Sequence, residues 1–241
     1  TKPSNIAKRV EFRSGDVDKG FAEADVIVER TYKTAAVHQG YIEPHAVLAS
    51  AAEDGQVQVW VSTQGQFMVR AFCAKVCGLA ISQLRVTPAE IGGGFGGKTV
   101  VYGEPVAVQL SRKSGKPVRV VMSREEVLRA SGPTSGGVVE TKVGAKKDGT
   151  LVAVDAVLKY QAGAYAGSPI GPGCMCMTAP YEIENVQLIG YDVVSNRPKV
   201  AAYRAPGAPI SAYAFESALD EVARELNMDP IAIREKNAVK E

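Results

Sequence analysis

Polar and apolar residues alternate along several short stretches of the chain, and this period of two predicts half-exposed β-strands. The alternation is clearest at residues 24–34 and 57–62. It also runs through residues 138–145 and 150–160, on either side of Asp148-Gly149. Because Asp-Gly pairs favour tight turns, this second pair of stretches predicts a β-hairpin. Further strands are predicted at residues 84–87, 118–122 and 181–194.

Apolar residues that recur with a helical period predict helices between these strands. Residues 69–76 place apolar side chains at positions i, i+3, i+4 and i+7, and this helix is predicted to end at Gly78. Thr63 and Gln66 have the spacing of a capping box at its start. A second apolar stripe predicts a helix over residues 211–226.

Residues that favour helix ends mark three more helices. Proline fits the first helical turn, so Glu104-Pro105 predicts a start, and Ser114-Gly115 predicts the corresponding end. Ser123 and Glu126 have capping-box spacing. Asp229-Pro230 supplies the N-cap and first-turn residues of a final helix.

The order of these elements predicts the fold class. Residues 163–180 combine Gly, Pro, Met and Cys without a clear period, and we predict a long irregular loop there. Strands and helices are otherwise interspersed without a regular β-α-β order. The sequence therefore predicts an α+β fold, with mixed sheets and packed helices, rather than a doubly wound parallel sheet.

Composition and charge mainly exclude classes of partner and of cellular location. The chain has 28 Lys and Arg against 26 Asp and Glu, and its basic residues are scattered, so no nucleic-acid partner is expected. No stretch approaches the ~18 consecutive apolar residues of a membrane span, and the start has no signal-peptide pattern. Four cysteines in 241 residues do not form a disulfide framework, so a reducing, cytoplasmic compartment is expected.

The cysteines and histidines lack the patterns of metal ligands. The four cysteines are Cys73, Cys77, Cys174 and Cys176. Their spacing lacks a zinc-ribbon setting, so packing roles are predicted. His38 and His45 are predicted to be structural residues rather than a metal pair. We therefore expect no residue of this chain to ligate a metal directly.

Residues 92–99 read Gly-Gly-Gly-Phe-Gly-Gly-Lys-Thr and fit two motifs of nucleotide-binding loops. Gly92, Gly94 and Gly97 match the dinucleotide pattern G-x-G-x-x-G, and the whole stretch matches the phosphate-loop pattern G-x-x-x-x-G-K-[ST]. Residues without a Cβ atom let backbone N–H groups turn toward an anion and approach it closely. The stretch therefore predicts an anionic cofactor, and its surroundings must indicate which one.

Those surroundings fit a nucleotide poorly. Pro88 and Glu90 interrupt the strand that should precede a phosphate loop, and Pro105 would lie inside the helix that should follow it, at a cost of ~3 kcal/mol. The dinucleotide pattern lacks a β-α-β unit and an acidic residue about 20 positions on. Asp155, at the end of an apolar strand, resembles a Mg²⁺-binding residue. A phosphate-loop, ATPase-type domain over Gly92–Thr99 therefore stays as the alternative.

Five segments in this order carry a more specific signal than any single glycine motif. The glycine loop (residues 91–98) reads Ile-Gly-Gly-Gly-Phe-Gly-Gly-Lys, and the arginine loop (residues 202–209) reads Ala-Tyr-Arg-Ala-Pro-Gly-Ala-Pro. The other three segments are residues 38–44, 62–64 and 215–237. Together they resemble the molybdopterin-binding large subunits of the xanthine dehydrogenase/aldehyde oxidase family, over nearly the whole chain.

The resemblance implies part of a molybdenum hydroxylase that oxidises an aldehyde or an aromatic nitrogen heterocycle. In that family the inserted oxygen derives from water, hydride passes to the molybdenum centre, and electrons leave through [2Fe–2S] clusters, often to FAD. The implied cofactor is molybdopterin, which can carry a cytosine dinucleotide. The clusters and flavin are expected on other domains or subunits, and the intact enzyme is expected to be an oligomer.

The resemblance also implies roles for individual residues. Gln64 resembles the glutamine that hydrogen-bonds the apical oxygen ligand, and Arg204 resembles the active-site arginine beside the metal. The loop residues expected to bind the cofactor are Gly93, Gly94, Phe95, Gly96 and Gly97. The residues expected to line the substrate side are Ala205, Pro206 and Gly207.

Three departures from the family pattern narrow the prediction. The family's catalytic glutamate lies near the C-terminus of the intact subunit, beyond Glu241, so residues 1–241 are expected to be a first portion that is inactive alone. Thr99 stands where purine hydroxylases carry Glu, which disfavours xanthine as the substrate. Ala205 stands where carbon monoxide dehydrogenases carry Cys, which disfavours that branch. A scaffold domain that has lost its cofactor is a third functional class.

Overall fold

The computed structural model describes residues 4–240, and the chain divides into two compact units. Unit 1 combines the chain up to Val37 with residues 135–200 and with the chain from Ala205 onward. Unit 2 contains residues 38–134 and 201–204. The boundary between the units therefore divides the arginine loop, since it falls between Arg204 and Ala205.

Nine strands and seven α-helices form the described part of the chain. The strands are β1 (Ile6–Ser14), β2 (Val26–Thr34), β3 (Ala46–Ala51), β4 (Val57–Val61), β5 (Leu84–Pro88), β6 (Val118–Val121), β7 (Gly137–Ala145), β8 (Leu151–Gly163) and β9 (Asn185–Val194). The helices are α1 (Val17–Ala22), α2 (Gln66–Cys77), α3 (Glu104–Ser114), α4 (Arg124–Ala130), α5 (Ile170–Met177), α6 (Ala208–Glu225) and α7 (Pro230–Asn237). Within residues 4–240, no helix is long and apolar enough to cross a membrane.

Unit 1 is built on a five-stranded mixed sheet in the order β1-β9-β8-β7-β2. Only β8 and β9 run parallel to each other, and the remaining neighbours are antiparallel. Helix α6 packs against β2 and β7. Its apolar stripe, with Phe215 and Leu219, shares a fully buried core with Leu158 of β8. Burial of this stripe is the main favourable term in docking the helix on the sheet.

Unit 2 has a separate core on a smaller sheet in the order β5-β4-β3-β6. Strands β4 and β5 are parallel, whereas β3 pairs antiparallel with both β4 and β6. Helices α2 and α3 pack on each other and on the sheet. Val59, Val69 and Val108 lie in the resulting core. The sheet and its two helices thereby frame the glycine loop, which connects β5 to α3.

Most predicted elements are present, and the mixed sheets with packed helices confirm the predicted α+β fold. The predicted hairpin is formed by β7 and β8. Helix α3 begins at Glu104 and ends at Gly115, which adopts a left-handed φ of 66°. Helix α7 begins after Asp229, whose side chain accepts a hydrogen bond from the Ile231 amide. Glycine and capping chemistry therefore fixed these helix ends from local sequence alone.

The capping box predicted at Thr63 and Gln66 is wrong. Helix α2 begins at Gln66 with Gly65 as its N-cap and has no side-chain capping bond. The Thr63 hydroxyl instead donates to the Lys98 carbonyl over 2.9 Å and accepts from the Gly65 amide over 3.1 Å. Thr63 therefore lies two residues before the N-cap, where its hydroxyl joins the glycine loop instead of capping the helix.

The long irregular loop predicted over residues 163–180 is also wrong, because α5 lies within it. Ile170, Cys174 and Met177 of this helix are buried in the unit 1 core. Glycine disfavours a helix, so packing of these side chains in the core supplies most of the stability of α5. Elements β1, α1 and β3 have no counterpart in the sequence prediction. Strand β1 is almost wholly exposed and β3 is a central, largely apolar strand, so neither alternates clearly.

Candidate cofactor site

The glycine loop is held in unit 2 by the side chain of Gln64. The Gln64 Oε1 atom accepts hydrogen bonds from the amides of Gly96, over 2.8 Å, and Lys98, over 3.3 Å. The backbone amide of Gln64 in turn donates to the Lys98 carbonyl over 3.0 Å. These bonds use the acceptor end of the Gln64 side chain and leave its NH₂ group available as a donor.

Two of the glycines are explained by close contacts with the protein itself. A Cβ atom on Gly94 would lie 2.5 Å from Gln64 Oε1, so any side chain there would displace the glutamine. Gly96 has a φ of 97°, and a Cβ atom on it would lie 2.8 Å from the Ala202 carbonyl oxygen. These glycines therefore let three predicted family segments pack against one another.

The tip of the loop carries backbone donors that are unpaired within the described part of the chain. Phe95 has a φ of 51°, which is uncommon for a residue with a side chain, and it is 46% exposed. Among residues 4–240, the amides of Gly93, Gly94 and Phe95 find no hydrogen-bond acceptor. Three successive unpaired N–H groups at a strained tip are typical of a loop that binds an acceptor-rich ligand.

The arginine loop is attached to this tip by backbone bonds. The Arg204 amide donates to the Phe95 carbonyl over 2.9 Å, and Gln39 Nε2 donates to the Ala202 carbonyl over the same distance. The Arg204 side chain is exposed, and no carboxylate in the described part of the chain pairs with it. Arg204, whose backbone is bonded to the loop tip, therefore carries a guanidinium group that no carboxylate of the described chain neutralises.

The residues predicted to line the substrate side belong to unit 1. Ala205, with a φ of 57°, and Pro206 are both exposed. Gly207 is buried, and its carbonyl accepts a hydrogen bond from the Tyr160 hydroxyl over 3.0 Å. Ala205 and Pro206 are therefore accessible to a ligand, whereas Gly207 secures the start of α6.

Lys98 and Glu43 form an ion pair beneath the loop. Lys98 is buried, and its Nζ atom lies 2.7 Å from Glu43 Oε2. The same carboxylate oxygen accepts from the Gly92 amide over 2.8 Å. Although partial burial opposes it, the hydrogen bonds from Lys98 and Gly92 lower the pKa of Glu43. Glu43 is therefore a structural anion that holds Lys98 and the start of the loop.

This geometry gives no support to the phosphate-loop alternative. Lys98 is committed to Glu43 and to the Pro44 carbonyl, 3.3 Å away. The described stretch after the loop holds turns and bends until α3 begins at Glu104, so no helix starts directly after the glycines, as a phosphate loop requires. Asp155 lies in the middle of the β8 hairpin strand and accepts from Gln187. Its resemblance to a Mg²⁺ ligand follows from strand alternation.

A buried polar cluster next to the ion pair was not predicted as a unit. His45 Nε2 lies 2.7 Å from the Tyr41 hydroxyl, which also lies 3.2 Å from Ser131 Oγ. His38 Nε2 lies 2.8 Å from the same serine hydroxyl. Burial and the nearby Lys98 charge lower the pKa of His45 to about 4, so this imidazole is neutral at pH 7. Only the Tyr-x₃-His spacing within residues 38–45 hinted at the contact, and nothing local pointed to Ser131.

Three of the four cysteines occupy packing positions. Cys73, Cys77 and Cys174 are buried, and Cys176 is exposed. Burial raises the pKa of Cys73 to about 12 and that of Cys174 to about 11, which disfavours thiolate ligation. Across residues 4–240, no group of three or more His, Cys, Asp or Glu side chains is arranged to hold a metal ion.

Comparison with known proteins identifies the family. The sequence matches the family model for the molybdopterin cofactor-binding domain over residues 1–238. It is 35% identical to the nicotinate dehydrogenase large molybdopterin subunit of Eubacterium barkeri over 98% of the chain and 56% of that protein. It is 30% identical to the xanthine dehydrogenase of Dictyostelium discoideum, over 95% of the chain and 17% of that protein.

The fold agrees with that assignment. The aldehyde oxidoreductase from Desulfovibrio gigas superposes with a TM-score of 0.93 at 29% identity, over 98% of this chain and 26% of its own. The chain therefore belongs to the molybdopterin cofactor-binding domain family. It spans about half or less of the length of the relatives named here.

The residues at the loop tip fit such a cofactor. Several unpaired donors and a cation are available here: the amides at residues 93–95, the NH₂ group of Gln64 and the Arg204 guanidinium. The family's cofactor carries phosphate and metal–oxygen groups, which are acceptors. A donor-rich surface with a fixed positive charge suits such a group.

Proposed function

We propose that this chain forms the first part of the cofactor site in a molybdenum hydroxylase that oxidises an aldehyde or an aromatic nitrogen heterocycle. The observation that carries the proposal is the convergence of four family segments in unit 2 around residues 93–96, where the amides of residues 93–95 and the Gln64 NH₂ group are unpaired donors. When bound, the molybdenum cofactor supplies the two-electron oxidation of the substrate carbon. The chain supplies binding, orientation and charge.

Individual side chains have distinct tasks in this proposal. Gln64 keeps its oxygen on the loop and directs its NH₂ group to an acceptor of the cofactor. The backbone at Phe95 and Gly96 would contact the cofactor as well, and the unpaired amide there is that of Phe95. Arg204 places a permanent positive charge next to the reacting centre, where it stabilises negative charge that develops during turnover. Ala205 and Pro206 form a small, rigid wall on the substrate side.

The finer identity of the enzyme is inferred from the same residues. The Thr99 hydroxyl donates to the Gly96 carbonyl over 2.8 Å, so it closes the loop rather than offering the carboxylate of purine hydroxylases. We infer a substrate other than xanthine. Because Ala205 stands where carbon monoxide dehydrogenases carry Cys, we also infer that the chain does not belong to that branch. In the intact protein, [2Fe–2S] clusters and FAD on other domains or subunits would accept the electrons, and a glutamate outside these 241 residues would act as the base.

Elemental analysis of the native protein, purified from its host, tests the cofactor class. About one molybdenum per subunit supports the proposal. Absence of molybdenum with a nucleotide retained through purification would revive the phosphate-loop alternative. Absence of both would indicate a domain that has lost its cofactor. The analysis uses the whole native protein, because the relatives are longer than this chain and a complete site can require the additional residues.

Replacing Arg204 by lysine tests its proposed role. The variant keeps the charge but loses the planar, multidentate donor set, so we expect unchanged molybdenum content and a turnover rate lowered by roughly tenfold or more. Arg129→Lys is the matched control, since Arg129 is in an exposed i,i+4 pair on α4. Unchanged kinetics in Arg204→Lys would contradict a role beside the reacting centre.

A further inference from the structure

Both ends of the glycine loop meet one carboxylate. Glu43 Oε2 accepts from the Gly92 amide at the start of the loop, over 2.8 Å, and from Lys98 Nζ at its end, over 2.7 Å. The Glu43 amide also donates to the Gly92 carbonyl over 3.2 Å. A single residue from another segment therefore brings together positions six residues apart in the loop.

The ion pair is largely buried and is not a surface contact. The Lys98 side chain has no exposed area, and that of Glu43 is 30% exposed. Lys98 Nζ also donates to the Pro44 carbonyl over 3.3 Å and lies 5.0 Å from the centre of the Tyr41 ring. Because removal of one partner leaves the other charge buried without compensation, the pair strongly favours the closed arrangement.

The position of Lys98 also determines that of Gln64. Both backbone groups of Lys98 bond to Gln64. The Lys98 amide donates to Gln64 Oε1 over 3.3 Å, and the Lys98 carbonyl accepts from the backbone amide of Gln64 over 3.0 Å. A shift of Lys98 would therefore move the side chain that we propose as a cofactor donor. The contacts form a continuous path from Glu43 through Lys98 to Gln64.

We propose that Glu43 and Lys98 are positioning residues that hold the glycine loop in its binding shape before the cofactor arrives. They touch neither substrate nor cofactor, and they act through Gln64 and the amides at residues 96–98. The link to cofactor binding rests on the proposed function. The closure of the loop by the ion pair does not depend on it.

Hydrogen exchange in the native protein after removal of its cofactor tests the closure directly. The variants are Glu43→Gln, which keeps the shape but removes the charge, and Lys98→Met, which keeps the apolar stem. The control is Glu125→Gln, which removes the acid of the exposed pair with Arg129. We expect the amides at residues 96–98 to exchange at least tenfold faster in Glu43→Gln, and to be unchanged in the control.

The exchange of the core amides separates positioning from general destabilisation. Val59 in β4 and Val108 in α3 should keep their protection in Glu43→Gln. Equal loss of protection at the loop and at these core residues, or no change at the loop, would overturn the proposal. If Lys98→Met fails to fold, the near-isosteric Glu43→Gln variant carries the test alone.

Titration of molybdopterin into the depleted protein then links closure to binding. We expect Glu43→Gln to weaken binding by about tenfold or more, since part of the binding free energy must now close the loop. Equal affinity with faster loop exchange would overturn the positioning role. If the native protein takes up no molybdopterin at all, the proposed function fails, whereas the exchange experiment still decides whether the ion pair closes the loop.

Discussion

At the scale of single residues, the site depends on side chains that each satisfy two partners. Gln64 gives its oxygen to the loop, and only its NH₂ group remains for a ligand. Glu43 accepts from a lysine and from a backbone amide with one oxygen. Such shared contacts make single substitutions at the loop costly, because one change disturbs several bonds.

Gly94→Ala is predicted to disrupt the site through Gln64. The new methyl group would meet Gln64 Oε1 at 2.5 Å, so the glutamine must leave its bonds to Gly96 and Lys98. We expect the free energy of unfolding to fall by about 1–3 kcal/mol and cofactor content to fall with it. Denaturant unfolding and molybdenum analysis measure the two effects.

Gly171→Ala is the matched control for that substitution. Gly171 lies in α5, and a Cβ atom there would meet nothing within 4 Å. This change brings no new contact with Gln64, so cofactor content should be unchanged, and any loss of stability should be local to α5 because Pro172 follows Gly171. If both variants behaved alike, the contact between Gly94 and Gln64 would not be the cause.

His45→Gln is predicted to change how stability depends on pH. Burial lowers the pKa of His45 to about 4, against about 6.5 in the unfolded chain. As pH falls below 6.5 the unfolded state gains a proton that the folded state does not. Stability is therefore lost between pH 6.5 and 4, by about 2 kcal/mol on going from pH 8 to pH 5. The variant should lack this loss.

Denaturant unfolding of the wild type and the variant across pH 5–8 measures the difference. His38→Gln serves as the comparison, since burial and Arg124 also lower the pKa of His38, at a less buried position. It should flatten the profile less than His45→Gln does. A wild-type slope retained in His45→Gln would show that other groups cause the acid sensitivity.

At the scale of elements, local capping signals set some helix ends and miss others. The Ser123–Glu126 capping box is formed as predicted, with both reciprocal bonds at the start of α4. The equivalent pattern at Thr63 fails because α2 begins with Gly65 as its N-cap, two residues after Thr63. The apolar stripe of α2 is likewise displaced: Val76 is exposed, and Cys77 is buried instead.

Ser123→Ala is predicted to destabilise α4 through the loss of its cap. The Glu126 amide would lose its acceptor, with a cost of about 1 kcal/mol in the free energy of unfolding. Ser123→Thr keeps a hydroxyl and should retain most of that stability. Denaturant titration distinguishes them, and equal midpoints for the two variants would show that the cap contributes nothing.

At the scale of the whole molecule, two units with separate cores share one chain. Phe215 is fully buried in unit 1, where its ring lies 5.5 Å from that of Tyr181. Phe215→Ala should cost about 3–5 kcal/mol in the stability of that core. Because the cores are distinct, amides of β8 should lose exchange protection before those of β4 in unit 2.

Hydrogen exchange resolved by residue measures this, with Tyr213→Ala as control on the same helix. Tyr213 is half exposed, so its truncation should change protection little. A uniform loss of protection in β8 and β4 after Phe215→Ala would instead indicate that both units unfold as one cooperative body.

The sequence by itself determined most of the strands and helices and the family, and it supplied the prediction of which residues bind the cofactor. These depend on local periodicity, on helix-end chemistry and on short motifs, all of which are properties of neighbouring residues. The glycine loop was recognised in this way, although its motifs alone left a nucleotide alternative open.

Tertiary structure decided what those residues do for one another. It turned Lys98 inward to Glu43, set Gln64 against Gly94, and placed Arg204 beside Phe95. Each contact joins positions from about 30 to more than 100 residues apart along the chain. Their energies come from burial and close pairing of polar groups, which no local pattern encodes.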